Sequence, residues 1–280
     1  MDNGESLKRR FEFSFINIDK PCGPTSFQIS DYVREQIGAR KTSHLGTLDP
    51  AVSGVLPIAL NRACRLSTYL MRKEKSYVGI MRLHDDIDDE KLKEEMLKLT
   101  GKIIQFPPVR SSVKRAERER EVYDFKIIEL DGKDVLFEAD VEAGTYVRTL
   151  IHDLGKKIGG AHMLELRRTK AGIFAEEDAI NLHEFEKAVD AWNAGDEKAL
   201  RVILIPAETV IRRAFQVIEI NPDHIDRILR GKPIHLNDVK KMSKLEKNAF
   251  VGVFCNDTFI EIARVVQAGD VVAVPDFVFN

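Results

Sequence analysis

Residues 44–57 read His44-Leu-Gly-Thr-Leu-Asp49-Pro-Ala-Val-Ser-Gly54-Val-Leu-Pro57, and this stretch decides how the rest of the chain is read. Asp49 lies between Gly46 and Gly54, and Pro50 fixes the backbone just after it. A carboxylate on a stiff loop, with small residues around it, leaves room for a substrate to approach. The same residues also fit an ordinary Asp-Pro turn, so the loop taken alone leaves both readings open.

Before the loop, residues 15–19 form a short apolar run with strand character, and Pro-Cys-Gly-Pro-Thr-Ser at 21–26 forces a turn. Thr25 or Ser26 can cap a helix with Ile29, Val33 and Ile37 at helical spacing. Residues 1–14 are polar and charged and are expected to fray. Residues 40–54 read as loop, 61–71 as helix and 75–83 as strand. Asp88 or Asp89 should open a further helix. Residues 105–120 read as an exposed basic loop with Arg110, Lys114, Arg115, Arg118 and Arg120. Strands at 122–130 and 134–143, joined by an Asp131-Gly132 turn, make a hairpin. Its second strand alternates Phe137, Ala139, Val141 against Glu138, Asp140, Glu142, so one face is buried and the other wet. Helices are expected at about 149–158 and 181–193. Beyond a composition shift at 205–214 the runs become short and β-rich. The chain thus divides into a frayed segment (1–14), a main domain (15–205) and a small β domain (215–280).

The 280 residues fit about two domains at ~150 residues each. A net charge of -2 with 44% hydrophobic residues places the chain among globular proteins and away from disordered ones. No apolar run reaches the ~18 residues that cross a bilayer, and the first residues carry no secretory pattern. Three scattered cysteines without CxxC, and seven histidines without HExxH, argue against a disulfide frame or a metal centre. A cytoplasmic protein without metal or cofactor is expected. The near-neutral charge does not exclude a nucleic-acid partner, because local clusters decide binding within a Debye length of ~8 Å.

Four further candidates stand along the chain. Arg148, in Gly144-Thr-Tyr-Val-Arg148, sits where a strand gives way to a helix. It would need a carboxylate if buried, and would otherwise be a surface arginine. Tyr77, in Lys75-Ser-Tyr-Val-Gly79, offers a stacking face or is an ordinary half-buried strand residue. Lys20 ends the first strand, where it would ordinarily be solvated. The run Leu166-Arg167-Arg168-Thr-Lys170 holds no acid and could grip phosphates or be a solvated face.

Together these segments resemble the TruB family of RNA pseudouridine synthases over about residues 15–185. The resemblance rests on Asn17-Ile-Asp-Lys-Pro-Cys-Gly-Pro-Thr-Ser26, the 44–57 loop, 75–79, 144–148 and Leu166-Arg-Arg-Thr-Lys-Ala-Gly172, in that order. Pro107-Pro-Val-Arg-Ser-Ser-Val-Lys-Arg115 and Gly160-Ala-His-Met-Leu-Glu-Leu-Arg-Arg168 look like its archaeal and eukaryotic branch. That branch holds the dyskerin-type catalytic subunits of box H/ACA particles. The stretch after 214 is short and matches the family weakly, and so is the extension before residue 15.

The resemblance implies an α+β fold: a mixed, mostly antiparallel central sheet with flanking helices, plus a small C-terminal PUA-like β domain that binds RNA. It implies an isomerase that converts specific uridines of RNA to pseudouridine, in the tRNA TΨC loop (position 55), at guide-directed rRNA sites, or both. The implied catalytic set is Asp49, Arg148 and Tyr77. Arg148 would keep Asp49 ionised in a cleft that excludes water, and Tyr77 would stack on the extruded base. Lys20, His44 and Leu166 would line the substrate site, and Arg110, Lys114, Arg115, Arg167, Arg168 and Lys170 would hold RNA. Partners would be the RNA substrate, with guide RNA and small partner proteins, and no membrane. A non-catalytic RNA scaffold on the same fold has no need of that set. A glycosidase would want two carboxylates ~5–10 Å apart across the sugar, and the loop supplies a single candidate, Asp49.

Overall fold

The computed structural model describes residues 7–106 and 116–279 of a chain that divides into two units, residues 1–204 and 205–280. The Pro107–Pro108 segment and its Arg110, Lys114 and Arg115 lie outside the described residues.

The first unit opens with α1 (Leu7–Glu12) and β1 (Ser14–Lys20). The expected frayed terminus is corrected from Leu7 onward. Leu7 is buried, and the Phe11 ring meets Trp192 edge-on at 5.3 Å, which is reason enough for a short helix to hold. In α2 (Ser26–Gln36) Thr25 and Gln28 form a reciprocal capping box. β2 (Thr42–His44) and β3 (Val52–Leu60) follow. The helix expected at 61–71 is instead a 3-10 segment at 61–66 followed by the single turn α3 (Ser67–Leu70). β4 (Lys75–Leu83) is followed by α4 (Asp89–Leu97), which Asp88 caps through two backbone N–H groups. Then come β5 (Gly101–Gln105), β6 (Arg118–Asp131), β7 (Asp134–Val141) and α5 (Val147–Gly155). Arg118 and Arg120 therefore belong to a strand and not to the expected loop. β8 (Ala161–Ala171), β9 (Phe174–Ala175), α6 (Leu182–Asn193) and α7 (Lys198–Ile203) complete the unit.

The sheet runs β1-β3-β8-β4-β7-β6-β5, with β2 on β3 and β9 on β8. Among the described strands of this unit β3 and β8 pair in parallel, and the other pairings are antiparallel. This is the mixed, mostly antiparallel sheet expected above. Two central strands escaped the sequence reading. β3 is buried along nearly its whole length, so it shows no alternation. It changes partner midway: β8 takes 52–54 and β2 takes 58–60. Pro57, which has no N–H to give, falls between the two. β8 hides behind its charges, and yet Leu166 and Arg168 both point inward.

The second unit begins with β10 (Ile205–Pro206) and α8 (Ala207–Ala214), then β11 (Gln216–Ile220), α9 (Ile225–Leu229), β12 (Ile234–His235), β13 (Val239–Met242), β14 (Phe250–Cys255), β15 (Thr258–Ala268) and β16 (Val271–Val278). Six of its strands form one sheet in the order β12-β16-β15-β14-β11-β13, a β-rich domain of PUA-like type. Its core is aliphatic, with Ile218, Ile220, Val251, Val253, Ala263 and Val265. On α8, Ile211 packs so closely on Gly252 that a Cβ there would stand 2.5 Å from it.

Glu261 breaks this pattern. It pairs in register with Val253 and Val278, is fully buried, and neither carboxyl oxygen has a hydrogen-bond partner. Burial pushes its carboxyl from 4.5 up to about 8. Below about pH 4.5 the group is neutral in folded and unfolded chains alike. As pH rises toward about 8 the unfolded chain ionises first, and folded stability falls. Glu261→Leu removes the unpartnered group and should stabilise the chain by about 1–3 kcal/mol. Its advantage should widen from about pH 5 to about pH 8 and then level off. Melting curves of the whole chain across that range check this, and an advantage independent of pH would mean that Glu261 does not titrate in this window.

Candidate active site

Asp49 sits in the connection between β2 and β3. Leu45 and Leu48 are buried there, which turns the intervening and following backbone outward and leaves Asp49 at the surface. Five residues hold the connection through hydrogen bonds. Ser26, itself buried, accepts from the Leu48 N–H at 2.7 Å and donates to the Leu48 carbonyl at 3.0 Å. The Val52 N–H returns to the Asp49 carbonyl at 3.0 Å, and the Gly23 N–H reaches the Pro50 carbonyl at 2.8 Å. Lys20, wholly buried, donates from Nζ to the carbonyls of Pro21, Pro50 and Val52 at 2.8, 3.3 and 2.8 Å. Arg168 donates to the carbonyls of Val55 at 2.8 Å and Gly46 at 3.1 Å.

Arg148 comes from α5. Val147, Leu150, Ile151 and Leu154 form the buried stripe of that helix, so Arg148 faces outward from its first turn. Gln105, on β5, fixes the approach: it exchanges two hydrogen bonds with the backbone of Tyr146, at 3.0 and 3.2 Å. The Arg148 Nη1 then stands 3.2 Å from the Asp49 Oδ2, across 99 residues of chain. The two side chains are 50% and 53% exposed. Among the described residues, then, nothing covers the cleft that was expected to exclude water.

Tyr77 and Leu166 lie on neighbouring strands. In register, Tyr77 pairs with Arg168, and Gly79 with Leu166, so Tyr77, Leu166 and Arg168 share one face of the sheet. Tyr77 and Leu166 are nearly covered, at 8% and 7% exposure. His44 ends β2 half-buried, with Nε2 3.2 Å from the Thr47 hydroxyl. Burial pushes the imidazole below its usual range, and the Arg168 guanidinium adds to that.

The basic run at 166–170 does not act as one surface. Arg167 is spent in ion pairs: it meets both oxygens of Asp19, at 2.9 and 3.0 Å, and Glu176 at 2.9 Å. Arg168 is 1% exposed and cannot meet a phosphate from outside, which corrects its expected RNA-binding role. Lys170 remains exposed. Local sequence shows a charge run but not which way a strand turns it. Gln105, which fixes the approach to Arg148, carries no signal in the sequence, since a lone glutamine makes no motif; Ser26 stands there as a candidate helix cap, whereas Thr25 caps α2 and the Ser26 hydroxyl holds Leu48.

Three cations are thus buried behind the loop: Lys20, Lys75 and Arg168. Among the described residues Lys75 donates to the carbonyls of Met71 and Lys73. Burial pushes Lys75 down to about 8 and also lowers Lys20, and Arg168 contributes to both shifts. Among the described residues no three His, Cys, Asp or Glu side chains are placed to hold a metal ion. Among them also, no helix is long and apolar enough to cross a membrane.

A profile described as the TruB family pseudouridylate synthase N-terminal domain matches residues 34–147. A second, described as the tRNA pseudouridylate synthase B C-terminal domain, matches residues 148–212. A protein of Methanothermobacter thermautotrophicus named probable tRNA pseudouridine synthase B is 42% identical over 227 residues, covering 80% of this chain and 70% of its own. One of the same name from Methanopyrus kandleri is 42% identical over 242 residues, covering 85% and 71%. Among solved structures, a chain of a Cbf5-Nop10-Gar1 complex superposes with a TM-score of 0.91 at 34% identity, covering 99% of this chain and 88% of that one. A chain of an H/ACA RNP bound to a substrate RNA containing 2'-deoxyuridine gives 0.89 at 32% identity, covering 99% and 88%.

Proposed function

Because this chain belongs to the TruB family of pseudouridylate synthases and isomerises uridine in RNA to pseudouridine, we propose that Asp49 carries the reaction with Arg148 as its counter-ion. The observation behind this reading is the 3.2 Å contact between the two groups on an otherwise open surface. In the reaction the N1–C1′ bond of uridine breaks and a C5–C1′ bond forms. The C5 proton leaves, N1 gains one, and no net oxidation occurs. A carboxylate can serve by attacking C1′ or by taking a proton from C2′ on the way to a glycal. Either task needs it charged while water is kept away. A guanidinium suits that need, because it stays protonated and meets carboxylate oxygens directly.

The target base must leave its stack, at a cost of a few kcal/mol. On this reading Tyr77 and Leu166 form the wall the base enters once the nucleotide shifts their cover, and His44 fills space beside it. Lys20 braces the Asp49 loop from beneath, and Lys170, Arg110, Lys114 and Arg115 meet the phosphates. The half-exposed site is closed by the RNA itself. A scaffold with no chemistry would have no use for an acid and an arginine matched across the fold.

Two substrates suit such a site: the tRNA TΨC loop, after the name of the archaeal relatives, and guided rRNA positions, after the H/ACA structures. We place the chain in the cytoplasm and in a particle with guide RNA and small proteins of the Nop10 and Gar1 kind. Its formal net charge of -2 favours shared binding, since neutral proteins gain little phosphate affinity of their own. Tritium release from 5-³H-uridine RNA tests this. Slow release from bare tRNA is expected, with acceleration of about tenfold or more when guide RNA and such partners are added. Full speed on bare tRNA with no response to partners would assign it to stand-alone action.

A further inference from the structure

Arg168 is 1% exposed, yet no carboxylate among the described residues pairs with it. Its hydrogen bonds go to two carbonyls, from Nε to Val55 and from Nη2 to Gly46. Those carbonyls bound the span that carries Asp49. Two glycines of the span also lie against this residue, and Gly54 is required by it. Gly46 and Gly54 both adopt the left-handed backbone, with φ of 106° and 103°. A Cβ on Gly46 would stand 3.4 Å from the Arg168 Nη1, and one on Gly54 would stand 2.2 Å from the Arg168 carbonyl oxygen. The loop is therefore wrapped around this one residue, from its side chain at one end to its backbone at the other.

A buried guanidinium without a counter-ion is costly, and here it lies close enough to Lys20, Lys75 and His44 to oppose their charging. Any neutral side chain would avoid that repulsion. What a neutral or single-point donor cannot do is span two carbonyls with one rigid plane. The inference rests on the reading of Asp49 given above. We propose that Arg168 is a positioning residue: it ties together the two ends of the Gly46–Val55 span and so fixes where the Asp49 carboxylate stands against Arg148.

The expected effect follows from geometry, since a displacement of about 1 Å at a reacting group costs on the order of 10²-fold in rate. Arg168→Met should lower kcat for tritium release by about 30- to 100-fold while the KM for RNA changes by less than about threefold. Amide hydrogen exchange should quicken in residues 46–55 and stay unchanged in β7 and α6. Arg168→Lys, which restores the charge but bonds one carbonyl at a time, should recover only part of kcat. If Arg168→Met does not fold, Arg168→Lys decides the matter through the same two readouts. A folded variant with kcat within about threefold of wild type, a loss carried by KM, or exchange that quickens evenly through the unit would overturn the proposal. Asp49→Asn is assayed alongside. Turnover by Asp49→Asn would remove the reading of Asp49 and with it this inference. A silent Asp49→Asn beside fully active Arg168 variants would remove this inference alone.

Discussion

Asp49→Asn is expected to keep the fold and the affinity for RNA and to lose uridine isomerisation by at least about 10³-fold. Asparagine has the size and shape of aspartate, and the loop is held by its backbone. Ser26, Gly23, Lys20 and Arg168 grip the carbonyls and N–H groups of residues 46–55, and none of these contacts uses the Asp49 side chain. The substitution therefore removes a negative oxygen and little else. An amide can neither attack C1′ nor accept a proton from C2′, so both routes fail together. Tritium release in single turnover, with RNA binding measured by filter retention, checks the two halves of this expectation. Appreciable turnover by the amide would move the chemistry to another group.

Arg148→Ala should rank second, with a fall of about 10²–10³-fold in the chemical step. In the free protein the Asp49–Arg148 pair is half-open, and an exposed pair contributes little to stability. The melting temperature should accordingly move by only a degree or two. The cost arises when RNA covers the site, because a carboxylate cut off from water then has no opposite charge at 3.2 Å. Arg148→Lys keeps the charge but loses the planar fork, so it should recover part of the rate. The contrast between a nearly unchanged melting curve and a collapsed rate separates this role from a packing role. Comparable losses in both measurements would make Arg148 a structural residue.

How far the sequence could be read follows from the burial of each strand. β7 is covered on one face only, so polar and apolar residues alternate along it, and its limits are legible within a residue or two; β4 does not alternate in polarity and is legible as a short apolar run centred on Tyr77–Met81. β3 is covered on both faces and shows only an apolar run interrupted by Gly54 and Pro57, which resembles a turn. β8 carries Arg167 and Arg168 in the middle of the sheet, and charge at such positions disguises a central strand as a surface. The caps of α2 and α4 could be narrowed to two neighbouring residues each, because Thr25 and Asp88 act on their immediate neighbours. The meeting of Asp49 with Arg148 is different in kind. No spacing rule joins residues that far apart, and only the family resemblance pointed to the pair. What fixes it physically is the Gln105 link to Tyr146 and the buried stripe of α5, neither of which is visible before the chain folds.

The openness of the Asp49 side chain, at 53% exposure, has a bearing on selectivity. A solitary nucleoside is too small to shield the acid from bulk solvent while its base is turned in the pocket. On the proposed reading of Asp49, the RNA around the target uridine serves as substrate and roof together. Discrimination against the cell's abundant monomeric uridine nucleotides then follows from the openness of the site, since a monomer brings no neighbouring strand to cover it.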